Sequence, residues 1–173
     1  AAWCRVGHAR RKLLAYNRAD VDYYLGAAVD RITVEILDAR DGVVRTFTRP
    51  AEEEQADEKK PASAGGGFGG PPQLPPSTKA GMNRFTWNLR YPGATVFPGM
   101  IIWSGNPANG PLAVSGQYRV RITAAGQSQT VPLEVQKHPL YEHVSVADLQ
   151  RQFDLAIEIR DRTSDANEAV IQI

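Results

Sequence analysis

His138 and His143 are the two residues of this 173-residue chain whose spacing most resembles a metal site. They flank Glu142 in the run HPLYEH, and imidazole and carboxylate groups are common zinc ligands. On a helix this spacing could bring both imidazoles to one face, but Pro139 predicts a connection between a strand and a helix. Because no third ligand lies nearby in the sequence, we expect no metal site.

Nucleophilic catalysis requires a serine or cysteine beside a histidine and an orienting carboxylate. Cys4 is the single cysteine, and Ser104 and Ser115 lack the G-x-S-x-G context of an exposed nucleophile. The acidic run 52–58 could supply paired carboxylates, but we expect this segment to be too flexible to fix their separation. The sequence therefore predicts no catalytic residues, and we expect the chain not to be an enzyme.

Gly65, Gly67 and Gly70 formally match the dinucleotide-binding pattern G-x-G-x-x-G. That pattern binds pyrophosphate where it follows a strand and opens a helix. Here it lies between a charged run and a proline-rich run. We expect no cofactor.

Two groups of residues could form a binding surface. Tyr91, Phe97 and Trp103 could stack on a glycan, or they could pack at the edge of the core, as aromatic side chains commonly do. The outward faces of predicted strands carry four arginines, which could form a docking surface for a protein or a solvated sheet face: Arg84, Arg90, Arg119 and Arg121.

The overall charge argues against a nucleic-acid partner. The 20 basic and 19 acidic side chains give a net charge of +1, too small for the broad positive field that such binding requires. Basic residues do cluster within 1–18, which we expect to be a solvated tail. No apolar run approaches the roughly 18–20 residues of a membrane span, so we expect no transmembrane segment in this chain.

Alternating apolar residues predict a β-sandwich. In the run GMNRFTWNLRYP, Phe85, Trp87 and Leu89 share one face, which is typical of a central, half-buried strand. The other predicted strands are 21–25, 32–36, 43–48, 96–103, 118–123 and 131–135. Short strands with turn signals favour an antiparallel sandwich of immunoglobulin or fibronectin type III character, and a small barrel is the alternative.

The last 35 residues change to a helical period. Ser145 followed by Asp148 resembles a capping box, and Leu149, Phe153 and Ile159 repeat at helical spacing. The stripe continues through Ala166 and Val170 to Ile173, either as one helix or as two helices divided at 163–165. An apolar stripe of this length needs a covering surface, so Leu149, Phe153 and Ile159 join the arginines in the predicted docking surface. The predicted organisation is a tail (1–18), a discontinuous sandwich (19–50 and 80–138), a flexible insertion (51–79) and a helical segment (139–173).

The runs DYYLGAAVDRITVEILDARDGVVRTF, GMNRFTWNLRYPGA, GPLAVSGQYRVRITAAGQSQTVPLEVQKHP and DLQRQFDLAIEIRDRTSDANEAV carry a family resemblance. Together they resemble the C-terminal region of large bacterial BNR-repeat or sortilin-like propeller proteins, some of which are classed as glycosyl hydrolases. The resemblance covers about residues 20–173, and it implies a fold similar to the immunoglobulin-like domain of flagellar hook-capping proteins. In that family the propeller would carry any catalytic site, so the resemblance transfers no catalytic residue to this chain.

These observations predict a non-catalytic structural or protein-interaction module of a larger exported protein or assembly. Its partners would be protein, either preceding domains of its own parent chain or other subunits, and it could oligomerise through the C-terminal helix. We expect a processed or partial chain, located in the periplasm or outside the cell. The alternative is a carbohydrate-binding accessory module of a glycoside-hydrolase-like protein.

Overall fold

The computed structural model describes residues 4–11, 18–58, 73–101 and 105–173. In chain order its elements are β1 Cys4–Arg11, β2 Ala19–Leu25, β3 Arg31–Leu37, β4 Val43–Pro50, α1 Ala51–Glu58, β5 Gly81–Trp87, β6 Arg90–Pro92, β7 Asn109–Leu112, β8 Gly116–Ala124, β9 Gln127–Val135 and α2 Val146–Ile171. A 3-10 turn over Pro139–Tyr141 precedes α2. The chain is therefore mainly β with one long C-terminal helix, as the sequence predicts.

The chain divides into two compact units. The first comprises Ala1–Asn88 and Gly116–Glu134, and the second comprises Leu89–Ser115 and Val135–Ile173. Residues 89–115 thus belong with the C-terminal helix, whereas the sequence analysis placed them in the sandwich. The predicted domain boundaries otherwise remain predictions.

The first unit contains two antiparallel sheets, with strand orders β1-β2-β5 and β4-β3-β8-β9. Aromatic pairs join the sheets. The ring centroids of Phe47 and Phe85 are 4.9 Å apart, and those of Trp87 and Tyr118 are 5.8 Å apart in an edge arrangement. Two sheets whose apolar faces meet in this way are consistent with a β-sandwich.

The central strand of the prediction is β5, and its alternation places the core. Phe85 and Trp87 are buried and lie opposite Val21 and Ala19 of β2, while the intervening Thr86 is half-buried on the other face. Burying a side chain as large as tryptophan contributes several kcal/mol at about 25 cal/mol per Å². The pattern that predicted this strand is therefore confirmed.

The strand ends at Trp87, two residues before the sequence pattern does. Leu89 has a φ of 55°, a left-handed conformation that breaks the extended backbone before β6 begins at Arg90. Leu89 is half-buried, and its carbonyl accepts a hydrogen bond from the amide of Ala113 at 2.7 Å.

Regular structure is present in the predicted tail (1–18) and in the predicted flexible insertion (51–79). Cys4–Arg11 form β1, which pairs antiparallel with β2. Ala51–Glu58 form α1, and residues 73–79 bond to described neighbours, so both ends of the predicted insertion contain defined structure. The flexibility of the insertion stays a prediction. Residues 59–72, including the glycine pattern, lie outside the described part of the chain.

The predicted strand 96–103 is also wrong over its described part, 96–101. The amide of Met100 donates to the carbonyl of Phe97 at 3.3 Å, and Gly99 has a φ of 83°. With Pro98 at the second position, this is the arrangement that favours a type II turn. A chain that reverses its direction within four residues cannot continue as a strand. The apolar run therefore does not form the strand that it predicted.

The hairpin of β6 and β7 in the second unit depends on two glycines. A Cβ atom at Gly110 would overlap the carbonyl oxygen of Tyr91, and one at Gly93 would overlap that of Ala108. The guanidinium of Arg90 donates to the carbonyl of Gly110 at 2.8 Å. The two backbones approach this closely because neither glycine carries a side chain.

Candidate interaction surface on the C-terminal helix

The start of α2 is fixed by side chains on both sides of the cap. The Ser145 hydroxyl accepts from the Asp148 amide at 3.0 Å and donates to the Asp148 carboxylate at 2.6 Å. This confirms the predicted N-cap, which typically contributes about 1 kcal/mol. Before the cap, the Lys137 ammonium donates to the carbonyls of Glu142 and Val144, both at 2.9 Å.

One face of α2 packs within the second unit. Phe153 lies edge-on to Tyr91, with ring centroids 4.8 Å apart. Farther along the same face, Ser164 is half-buried and Asn167 is buried. Their spacing keeps one stripe of the helix against its neighbours. We call this stripe the inner face.

The inner face holds the loop after β6 through Thr95. The Thr95 amide donates to the Ser164 hydroxyl at 3.1 Å, and its carbonyl accepts from the Asn167 amide group at 2.6 Å. The Thr95 hydroxyl donates to the Glu168 carboxylate at 3.0 Å. Both backbone groups of Thr95 are thus satisfied by helix side chains, which leaves them unavailable for a strand ladder.

A second apolar stripe of α2 lies on solvent. Leu155 and Ile159 are both 58% exposed, Val170 is more than half exposed, and the fully exposed Ile173 follows two residues beyond the end of α2. With the exposed Ala166 they recur every three, four or seven residues, the spacing of one helix face. We call these five residues the outer face. At 3.6 residues per turn, Ile159 is rotated by about 120° from Phe153, so the two faces are distinct.

The helical spacing in the sequence predicted one stripe, whereas α2 has these two distinct faces. Leu149 and Phe153 are half-buried, whereas Ile159 is exposed, so the three residues predicted to act together do not share a face. Leu155 was missed. The sequence feature that could have identified Leu155 is the heptad-like spacing of apolar residues from Leu155 to Ile173. This spacing lies on one face only if the helix is continuous through 163–165, as α2 is.

The four arginines of the predicted docking surface all have partners within their own unit. Arg90 bonds Gly110, as described above. The other three pair with carboxylates: Arg84 Nε with Asp22 at 2.6 Å, Arg119 with Asp41 at 2.6 Å and Arg121 Nε with Glu35 at 2.7 Å. Hydrogen bonding and then charge raise the pKa of Arg84 beside Asp22 and that of Arg121 beside Glu35. Docking through these arginines remains a prediction, and it would compete with the ion pairs.

The aromatic residues proposed for glycan stacking are placed differently from one another. Tyr91 and Phe97 are half-buried, and Tyr91 packs against Phe153. Trp103 lies outside the described residues. Glycan binding through these residues remains a prediction. The packing of the Tyr91 ring against Phe153 does not favour it.

His138 of the run HPLYEH serves local structure. The Nδ1 atom of His138 accepts from the Leu140 amide at 3.2 Å, and its ring lies 5.7 Å from that of Tyr141. His143 is exposed. Within the described ranges, no group of three or more His, Cys, Asp or Glu residues is placed to hold a metal ion.

Glu54 is the buried carboxylate that would attract attention as a catalytic group. Its Oε2 atom accepts from the amide and the hydroxyl of Thr78, both at 2.6 Å, and its Oε1 atom lies 3.7 Å from Arg49. Burial alone would raise the pKa of Glu54, but these bonds, a bond from Ser77 and the charge of Arg49 together lower it. Glu54 is thus a charged anchor that joins α1 to the segment before β5.

No described helix has the length and apolar character needed to cross a membrane.

No protein-family model matches this sequence, and no curated protein matches it.

Proposed function

We propose that this chain is a non-catalytic protein-interaction module with a sandwich of immunoglobulin or fibronectin type III character. It would belong to a larger exported protein or assembly, as its resemblance to the C-terminal region of bacterial propeller proteins implies. The carrying observation is the outer face of α2, where Leu155, Ile159 and Val170 of the helix, together with Ile173 just beyond its end, are all more than half exposed.

The outer face supports docking better than the arginines do. Aliphatic side chains aligned on one helix face mark a surface whose covering is favourable. The stabilisation is about 25 cal/mol per Å² of apolar surface removed from water. The arginines already satisfy neighbouring carboxylates, so a partner would have to replace existing ion pairs. A helix face read at heptad-like spacing is also a common mode of protein recognition.

Hydroxyl-radical footprinting tests this proposal directly. The gently purified natural protein would be compared with the isolated chain, diluted until light scattering gives the monomer mass, and labelling at Leu155, Ile159 and Val170 would be read by mass spectrometry. Lower labelling of these residues in the natural protein is expected. Leu140, 76% exposed and outside α2, provides the control and should be labelled equally in both samples. Equal labelling of the outer face in both samples would contradict the proposal.

A variant gives an independent readout. Ile159→Asp places a charge on the outer face, which should abolish protection of Leu155 and Val170 in the natural protein. Leu140→Asp places the same charge away from α2 and should leave protection unchanged. Circular dichroism of both variants establishes that α2 still forms.

A further inference from the structure

We infer that the outer face of α2 binds the same face of a second copy of this chain, with the two helices antiparallel. This inference rests on the proposed function, because it names the partner that covers the outer face. Its basis is the order of apolar and charged residues along the helix.

The apolar residues of the outer face are self-complementary in the antiparallel direction. From Leu155 to Val170 the helical part of the stripe extends about 22 Å at 1.5 Å per residue, and Ile173 follows two residues beyond the end of α2. If two copies cross level with residue 164, Ile159 of each lies within one residue of the level of Val170 of the other, and Leu155 lies beside the end of the other helix that Ile173 follows. The large aliphatic side chains of the two copies then meet along the stripe.

The charges select the direction of pairing. Arg162 interrupts the outer face between Ile159 and Ala166, and Asp165 follows it by three residues. Their side chains are 78% and 67% exposed, and their charged atoms lie 3.8 Å apart. In the antiparallel arrangement Arg162 of each copy lies within one residue of the level of Asp165 of the other, which makes a neutral group of two bases and two acids. A parallel arrangement in register would set Arg162 against Arg162 and Asp165 against Asp165.

Light scattering of the full chain over a range of concentrations tests the association. The wild-type mass should rise from that of the monomer to twice that value. Ile159→Asp should remain monomeric with its helix content unchanged, while Leu140→Asp should still dimerise. A wild-type chain that stays monomeric at every concentration would overturn the inference.

Charge reversal tests the direction. Arg162→Asp and Asp165→Arg, each alone, should weaken dimerisation about tenfold, because each replaces two attractive contacts by repulsive ones. Mixing the two variants should restore association as a heterodimer. In a parallel dimer each single reversal would leave like charges facing like, so unchanged association of the single variants overturns the antiparallel register.

The two proposals fail separately. If footprinting shows the outer face protected in the natural protein while the purified wild-type chain stays monomeric, another protein covers it. The docking function then stands and the second copy is excluded. If the outer face is unprotected in the natural protein, the docking function itself is wrong.

Discussion

Glu54 and Thr78 are joined by two hydrogen bonds of 2.6 Å to one carboxylate oxygen, across 24 positions of the sequence. Both residues are buried, at 7% and 4% exposure. The bonds connect α1 to the segment that leads into β5. The carboxylate therefore supports the first unit from a position that no local sequence pattern marks as ordered.

Removing this anchor should destabilise the first unit. We expect Thr78→Val to lower the free energy of unfolding by about 1 kcal/mol, since it deletes one hydrogen bond with little change of shape. Glu54→Ala should cost about 2–3 kcal/mol because it also removes the carboxylate beside Arg49. Urea denaturation measures both. Glu53→Ala, at an exposed position of the same helix, should change stability by less than about 0.5 kcal/mol. An equal loss in that control would show that helix content, not the anchor, is responsible.

The same carboxylate should make stability depend on pH. The pKa of Glu54 is lower in the folded chain than its ordinary value of 4.5. Its contribution is therefore complete above that value and disappears as the pH falls through the lowered pKa of the folded state. The measurement is the difference in unfolding free energy between wild type and Glu54→Gln, from about pH 7 to about pH 2. The difference should shrink on acidification, and a difference that grows would mean that burial dominates the shift.

Gln73 covers part of the edge of β5 that faces away from β2. Its side-chain amide donates to the Thr86 carbonyl at 2.5 Å and accepts from the Asn88 amide at 3.0 Å, which imitates one step of a neighbouring strand. We expect Gln73→Ala to destabilise the chain by about 1 kcal/mol and to speed exchange of the Asn88 amide about fivefold. Hydrogen exchange by NMR reads this amide. Gln117→Ala, at an exposed position of β8, should leave its exchange unaltered.

Asn167 should control the loop after β6. Asn167→Ala removes the bond to the Thr95 carbonyl, which should cost about 1–2 kcal/mol and increase protease cleavage within 93–101. Gln152→Ala makes a comparable change at an exposed helix position and corrects for the higher helix propensity of alanine. Equal cleavage in the two variants would argue that Asn167 does not hold the loop.

The fold class could be predicted from the sequence because the two-residue alternation of apolar residues in strands and their helical spacing are local patterns. Phe85 and Trp87 marked β5, and Ser145 marked the start of α2. The acidic run of α1 carries no such signal. Its order depends on Glu54 reaching Thr78 and Arg49, contacts that no window of neighbouring residues contains.

The candidate surface could be predicted only in part, for the same reason. The helical stripe was visible, but which side of it packs depends on Thr95, which bonds Ser164 and Asn167 about 70 positions away. Likewise, the outward direction of Arg121 followed from alternation, whereas its pairing with Glu35 follows from the register of β3 and β8. Periodicity places a side chain on a face, and only tertiary structure decides whether that face is covered.

The hairpin of β6 and β7 provides a sequence feature by which distant relatives of this chain can be identified. Because any side chain at Gly93 or Gly110 would overlap backbone atoms of the opposite strand, substitution at one glycine cannot be offset by changing a neighbouring side chain. In descendants of a common ancestor that keep this hairpin, both positions should remain glycine while the exposed Pro92 and Asn109 diverge. Two glycines placed between a W-x-x-x-Y segment and a G-x-Y-x-V strand would therefore identify this lineage after overall identity has faded.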